Sequence, residues 1–317
     1  MSGKVRVGCA RTPRPMPAAR RLRWWGAAVV AGASLLAHAL PGAGPSPTPA
    51  SLPGSEAHVY RELPGEPLRL HVFRPAEWQP GDQRPAFVWF FGGGWLRGSP
   101  TQSAGWARRA SAVGLVGVAV DYRTRERFGT DATAAVADAR RALRWVQDHA
   151  TEFGVDPARV IVGGSSAGAH LALWAAIPTA PVGASADDSP RLPPAALLLV
   201  SAPADTSRAT GIGAERFGPD PDAYSPLQHL PATLPPTLLI HGDADRTVPY
   251  RYALALHEAL VTRGAQVEFV TVPGGTHGFS RDLPEWKARV PQLQLQFLRQ
   301  LGLLAEPPAE PPSPSFP

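Results

Sequence analysis

The sequence predicts an α/β protein: a mostly parallel central sheet with helices on both faces. Two observations carry the prediction. Between about Leu68 and Leu303, short apolar runs of strand length alternate with longer stretches whose apolar residues recur every three or four positions. Most of those runs are apolar throughout, the pattern of strands that crossover helices cover on both faces. A hydrophobic content of 44% over 317 residues fits one such domain with appendages.

Taken in order, Leu68–Phe73 alternates as a half-buried strand does, and Ala86–Phe91 is a continuous apolar run stopped by three glycines. Val116–Val120 is another run, ending at Asp121-Tyr122-Arg123. From Asp131 to Phe153, the residues Val136, Ala139, Leu143, Val146, Ala150 and Phe153 share one helical face. The strand Val160–Val162 leads into a helix over Ala167–Ala176. Strands follow at Ala196–Val200, Thr237–Ile240 and Val267–Val272, with helices at Tyr250–Arg263 and Glu285–Leu303.

The flanks have a different composition. Residues 1–39 hold seven of the 31 basic residues and no acidic one, which leaves 24 basic against 26 acidic residues in the rest. The net charge of +5 therefore belongs to the leader, and no basic patch in the folded part points to a nucleic acid. Arg20-Arg21-Leu22-Arg23, the apolar run Trp24–Leu40 and Ala37-His38-Ala39 together read as a signal peptide. Export to the periplasm or the extracellular space is expected; an uncleaved membrane anchor over 24–40 is the alternative. The lone cysteine, Cys9, precedes the expected cleavage, so no disulfide is expected. Residues 40–67 read as a Pro-rich linker, 68–303 as the folded domain, and 304–317 as a Pro-rich disordered tail.

The polar residues that punctuate the strands carry the chemistry. Gly164-Ser165-Ser166-Ala167-Gly168 is a G-x-S-x-G motif between a strand and a helix, where a sharp turn holds a serine hydroxyl clear of the sheet. A serine hydroxyl becomes a nucleophile when a base takes its proton and a carboxylate orients that base. His241-Gly242-Asp243-Ala244-Asp245 follows one strand and places two carboxylates at its end. Asp245 is the favoured acid, and the other aspartate is expected to cap the helix that begins near Pro249. His277 stands in the glycine-rich loop Gly274–Phe279 after the last strand. The order Ser, Asp, His is that of the α/β-hydrolases. Gly92-Gly93-Gly94-Trp95 offers backbone N–H groups that can stabilise an oxyanion.

On these motifs, the segment from about Leu68 to Leu303 resembles the α/β-hydrolase esterases and lipases that carry a His-Gly-Gly-x-Trp loop, a group with feruloyl-esterase-like, hormone-sensitive-lipase-like and kynurenine-formamidase-like members. Asp121-Tyr122-Arg123, Phe153-Gly154-Val155-Asp156-Pro157 and Ser225-Pro226-Leu227 appear in the same order. The resemblance implies the triad Ser166, Asp245 and His277, oxyanion donors from Gly93, Gly94 and Ala167, hydrolysis of small-molecule carboxylic esters through an acyl-enzyme, and no cofactor. The chain departs from the pattern at Phe91, where the resembling proteins have histidine; packing is expected to hold the loop instead, and a decayed site with a misplaced oxyanion hole is the alternative.

Metal and nucleotide sites have no support, because H-E-x-x-H, paired cysteines, G-x-G-x-x-G and the P-loop pattern are all missing. A prolyl-oligopeptidase-like serine peptidase shares this fold and triad; the 28 residues of 40–67 leave no room for the large domain that such enzymes carry before the hydrolase domain. A non-catalytic binding protein on the same scaffold would tend to lose the base or the nucleophile, and both residue types are present.

Overall fold

A strand with apolar residues at every position needs cover on both faces, and successive side chains find it in opposite layers. The computed structural model describes residues 48–181 and 185–306. Its sheet comprises β1 (Glu56–Arg61), β2 (Leu68–Phe73), β3 (Arg84–Phe90), β4 (Val116–Val120), β5 (Val155–Ser165), β6 (Ala196–Val200), β7 (Thr237–Gly242) and β8 (Val267–Val272). The helices are α1 (Thr101–Ser111), α2 (Arg125–Phe128), α3 (Ala132–Asp148), α4 (Ala167–Ala176), α5 (Arg251–Thr262), α6 (Phe279–Asp282) and α7 (Pro284–Gln300).

The strand order is β1-β2-β4-β3-β5-β6-β7-β8. β2 runs antiparallel to both β1 and β4, and every pair from β4 to β8 is parallel. On β3, Val88 and Phe90 join the layer formed with α3, α4 and α5. Phe87 and Trp89 face the other layer, with Ala110 of α1, Phe279 of α6, and Trp286, Val290 and Phe297 of α7. The carboxyl ends of β3, β5, β7 and β8 all open into loops at one edge of the parallel sheet, where ligands bind in such folds.

Three expectations change. The segment 40–67 is not only a linker: it contains β1, paired with β2 from Glu56↔Val72 to Arg61↔Leu68. Tyr60 is the one residue of β1 that is buried, so the strand carries almost no apolar signal; its hydroxyl donates to Asp121 O at 2.7 Å. β5 starts at Val155, ahead of the expected Val160, across a register shift against β3. α1 had no apolar signature because the face it buries is Ser103, Ala104, Ala107 and Ala110. The expected leader, residues 1–39, and the tail beyond Glu306 lie outside the described residues. Among the described residues no helix is long and apolar enough to cross a membrane.

Charge pins β1 to the rest. The Asp138 carboxylate on α3 is fully buried, with Arg61 Nε at 2.9 Å and Arg123 Nη2 at 2.7 Å from its Oδ1. Removing the acid would leave two largely buried guanidiniums facing each other. Asp138→Asn is therefore expected to cost about 3 kcal/mol, read as a lower urea midpoint at unchanged m-value. A shift worth less than about 1 kcal/mol would mean the pair behaves as a surface ion pair.

Candidate active site

Ser166 occupies a turn that few residues adopt. It lies between β5 and α4 with φ 55° and ψ −124°, and its backbone is tied down on both sides. Its N–H donates to Val200 O at 2.8 Å, and its carbonyl accepts from Ala169 N–H at 2.9 Å and His170 N–H at 3.2 Å. The turn closes this tightly because neither flanking residue has a Cβ. One built on Gly164 would sit 2.3 Å from the Gly168 carbonyl carbon, and one on Gly168 would sit 2.1 Å from Phe90 O. As the first residue of α4, Ala167 has an N–H that the helix itself leaves unpaired.

Asp245, 4% exposed, sits just past β7. Its Oδ1 accepts from the N–H groups of Thr247 and Val248, each at 2.9 Å. Its Oδ2 accepts from His277 Nδ1 at 2.7 Å and has His241 Nε2 at 3.4 Å. Burial alone would raise its pKa, but hydrogen bonds from His241, His277 and the Val248 N–H outweigh burial and hold the carboxyl below the ordinary carboxylate range. An ionised carboxylate only accepts, so His277 carries its proton on Nδ1. The other nitrogen, Nε2, then accepts from Ser166 Oγ at 2.9 Å. The three side chains expected from sequence thus form one hydrogen-bonded chain.

Asp243 has a different task from the one expected. Its Oδ1 accepts from Gly274 N–H at 2.7 Å, so it braces the loop that presents His277 and caps no helix. The loops after β7 and β8 are further joined by Ala244 N–H donating to Gly275 O at 3.1 Å and Asp243 N–H donating to Val272 O at 3.2 Å. The sequence reading missed His241. It is fully buried, and its Nε2–H is shared between Val248 O at 2.8 Å and the Asp245 carboxylate. The signal was there, a histidine four residues before the acid on a strand that ends at the site.

The glycine loop follows β3. Gly93 and Gly94 adopt φ 137° and 64°, and their N–H groups donate to no acceptor among the described residues. Gly92 approaches the turn so closely that a Cβ there would lie 3.4 Å from Ser166 Cβ. Gly93 O accepts from Leu96 and Arg97 N–H at 3.2 and 3.3 Å, and Gly94 O accepts from Arg216 Nη1 at 3.3 Å. Phe91, 1% exposed, stacks on Tyr122 with centroids 4.0 Å apart, and the Tyr122 hydroxyl donates to Phe91 O at 2.8 Å. Behind the loop, Trp95 meets His170 and Phe217 edge-on at 5.0 and 4.9 Å. Burial pushes the His170 pKa down to about 3, so it is neutral and donates from Nε2 to Tyr224 O at 3.0 Å. Among the described residues no group of three or more His, Cys, Asp or Glu could hold a metal ion.

A mostly parallel sheet with a hydrogen-bonded Ser, His and Asp at the carboxyl ends of its strands defines an α/β-hydrolase. Comparison with known proteins narrows the class. The family model described as BD-FAE matches residues 70–183. Esterase LipQ of Mycobacterium tuberculosis is 28% identical over 236 residues, which cover 66% of this chain and 54% of LipQ. The chain thus spans little more than half the length of that relative. Carboxylesterase NlhH of the same organism is 38% identical over 117 residues, 35% of this chain and 34% of NlhH. Among solved structures, the thermophilic esterase Est2 of Thermogutta terrifontis is 35% identical, with a TM-score of 0.75 over 81% of this chain and 96% of Est2. The chain belongs to the α/β-hydrolase esterases.

Three outcomes are expected from the acid end of the site. Asp245→Asn should lower turnover by about 10⁴-fold, the scale for a carboxylate that fixes a histidine tautomer. Asp243→Asn should lower it less than about tenfold, because the amide oxygen can still accept from Gly274. Comparable losses in steady-state assays of the two variants would overturn the assignment. His241→Phe removes a donor from Asp245; with one hydrogen bond worth about 0.5–1.5 kcal/mol, kcat should fall by up to about tenfold while KM holds. An unchanged kcat would reduce His241 to a core residue.

Proposed function

We propose that the protein hydrolyses carboxylic esters of small molecules through an acyl-enzyme, with Ser166 as nucleophile, His277 as general base and acid, and Asp245 as the group that orients His277. The observation that carries this reading is the unbroken run Asp245–His277–Ser166, with contacts of 2.7 and 2.9 Å, ending on a serine held clear of the sheet. His277 Nε2 takes the hydroxyl proton as Oγ bonds to the ester carbonyl carbon. The N–H groups of Gly93, Gly94 and Ala167 hold the oxyanion, each donor worth about 3 kcal/mol in the transition state. Collapse of the intermediate expels the alcohol, which leaves with the proton from His277. Water then attacks the acyl-serine by the same route, releasing the acid and restoring the Ser166 hydroxyl.

The relatives support the substrate class. Est2 has been solved with propionate and with butyrate bound, which favours short acyl groups. It has also been solved phosphorylated by paraoxon and phosphonylated by sarin, as expected of an activated nucleophile.

The test uses p-nitrophenyl butyrate and paraoxon together. The wild-type protein should turn over the ester and gain one diethyl phosphate on a Ser166 peptide, seen by mass spectrometry. Ser166→Ala should lose both, whereas Ser165→Ala should keep both, since only Ser166 holds the turn that aims at His277. Label on Ser165, or an active Ser166→Ala protein, would remove the mechanism.

A further inference from the structure

We propose that Arg216 is a positioning residue for the glycine loop: its hydrogen bond to the Gly94 carbonyl keeps the peptide between Gly94 and Trp95 from flipping. The proposal rests on the reading that the Gly93 and Gly94 N–H groups receive the oxyanion.

The loop is strained at a point where the strain has a ready release. Leu96 N–H donates to Gly93 O at 3.2 Å and closes a turn whose central residues, Gly94 and Trp95, have φ 64° and 60°. Positive φ at both central positions is the mark of a type I′ turn. Glycine adopts it freely, whereas for a bulky residue such as tryptophan it is an outlier. The relaxed alternative is a type II′ turn, in which only the first central residue keeps a positive φ. Rotating the peptide between Gly94 and Trp95 by about half a turn converts one into the other, and a glycine in first place permits it.

That rotation would spoil the proposed oxyanion site. Two successive left-handed residues align their N–H groups on one side and the carbonyl between them on the other, as in any helical turn. After the flip, Gly94 O would point to the side of the Gly94 N–H, and its partial negative charge would repel the anion that this N–H is to receive.

Arg216 opposes the flip. Its Nη1 donates to Gly94 O at 3.3 Å, the oxygen that a flip would withdraw. A Cβ added to Gly94 would lie 2.7 Å from the same nitrogen, so the guanidinium and the glycine are in close contact. Glu215, which pairs with Arg216 Nε at 3.1 Å, is 70% exposed, so water screens that pair and Nη1 is left to the carbonyl. The segment that delivers Arg216 is itself fixed. Asp205, 7% exposed, accepts from Ser207 N–H at 2.9 Å, the Thr210 hydroxyl at 2.6 Å and the Ser225 hydroxyl at 3.0 Å. Ile212 N–H donates to Asp205 O at 2.9 Å, and the Tyr252 hydroxyl donates to Thr210 O at 2.8 Å. Phe217, next to Arg216, packs edge-on against Trp95.

The test compares wild type and Arg216→Met on p-nitrophenyl butyrate and on two inhibitors with the same chain. Butyl trifluoromethyl ketone takes Ser166 Oγ onto its carbonyl carbon; the carbonyl π pair becomes an oxyanion, and the hydroxyl proton passes to His277 Nε2. Butyl methyl ketone stays a ketone and develops no such charge. In Arg216→Met, kcat/KM should fall by about tenfold and the trifluoromethyl ketone should bind about tenfold more weakly, the scale of one hydrogen bond from a charged donor. Butyl methyl ketone should inhibit both proteins alike. Thermal melts establish folding; should Arg216→Met not fold, Arg216→Lys, which keeps the charge without the planar fork, is read by the same comparison. A folded variant that keeps its kcat/KM, or one that weakens both ketones equally, would overturn the proposal and leave the esterase reading standing. A wild-type protein inert toward both the ester and the trifluoromethyl ketone would remove that reading, and the proposal with it.

Discussion

Holding Ser166 at φ 55° and ψ −124° costs about 1–3 kcal/mol, and a structure keeps such a conformation only where its surroundings leave no alternative. Here the surroundings are three hydrogen bonds to the residue's own backbone and the contact of α4 with the ends of β3 and β5. That contact requires Gly164 to face Gly168, and Gly168 to face the Phe90 carbonyl, without side chains. The rest of the site is arranged around this fixed point. A Cβ on Gly92 would lie 3.4 Å from Ser166 Cβ, α4 begins at Ala167 with a free N–H, and the loop after β8, joined to the loop after β7 through Asp245, brings His277 Nε2 within 2.9 Å of the hydroxyl.

Those two loops meet there because they share a buried charge. Asp245 keeps its negative charge in a largely dry position because both its oxygens have donors, two from backbone and two from imidazoles. A carboxyl whose folded pKa is depressed stabilises the fold above its unfolded value, about 3.9. That contribution is lost as pH falls toward the folded value. The charge that orients His277 is therefore also one that the fold needs, and the loop carrying His277 is fixed a second time by Asp243 on Gly274.

Much of this was legible in the sequence because parallel strands covered on both faces leave long apolar runs, and because the candidate site residues follow those runs at their carboxyl ends. Ser166 and Asp245, read from separate motifs, both come within hydrogen-bonding distance of His277, read from a third. Elements that bury little were not legible. β1 is EAHVYR with one buried residue, and its place is set by backbone pairing and ion pairs, which leave no periodic trace. α1 buries alanines and a serine, whose spacing is indistinct in a chain so rich in alanine. The role of Asp243 was misread because a carboxylate before a helix suggests a cap, while its partner, the Gly274 N–H, lies 31 residues away. His241 was overlooked because it closes an apolar strand, where a histidine reads as core.

The substitution at Phe91 shows how the glycine loop can keep its position without a histidine. The proposed oxyanion donors belong to the backbone, so what matters for that role is where the loop's peptides point. Phe91 fixes the root of the loop by stacking on Tyr122, and the Tyr122 hydroxyl holds the Phe91 carbonyl. Burial raises the Tyr122 pKa well above that of an ordinary phenol, so the hydroxyl keeps the proton it donates. Tyr122 is itself immobilised by its neighbours in sequence. Asp121 is clamped by Arg127, which also reaches Glu66, and Arg123 grips Asp138 with two nitrogens. Asp138 in turn holds Arg61 of β1. A continuous path of stacking, hydrogen bonds and ion pairs thus runs from the antiparallel edge of the sheet to the peptides beside Ser166. On this path, β1 and α3 contribute to the site although neither contains a residue that touches it.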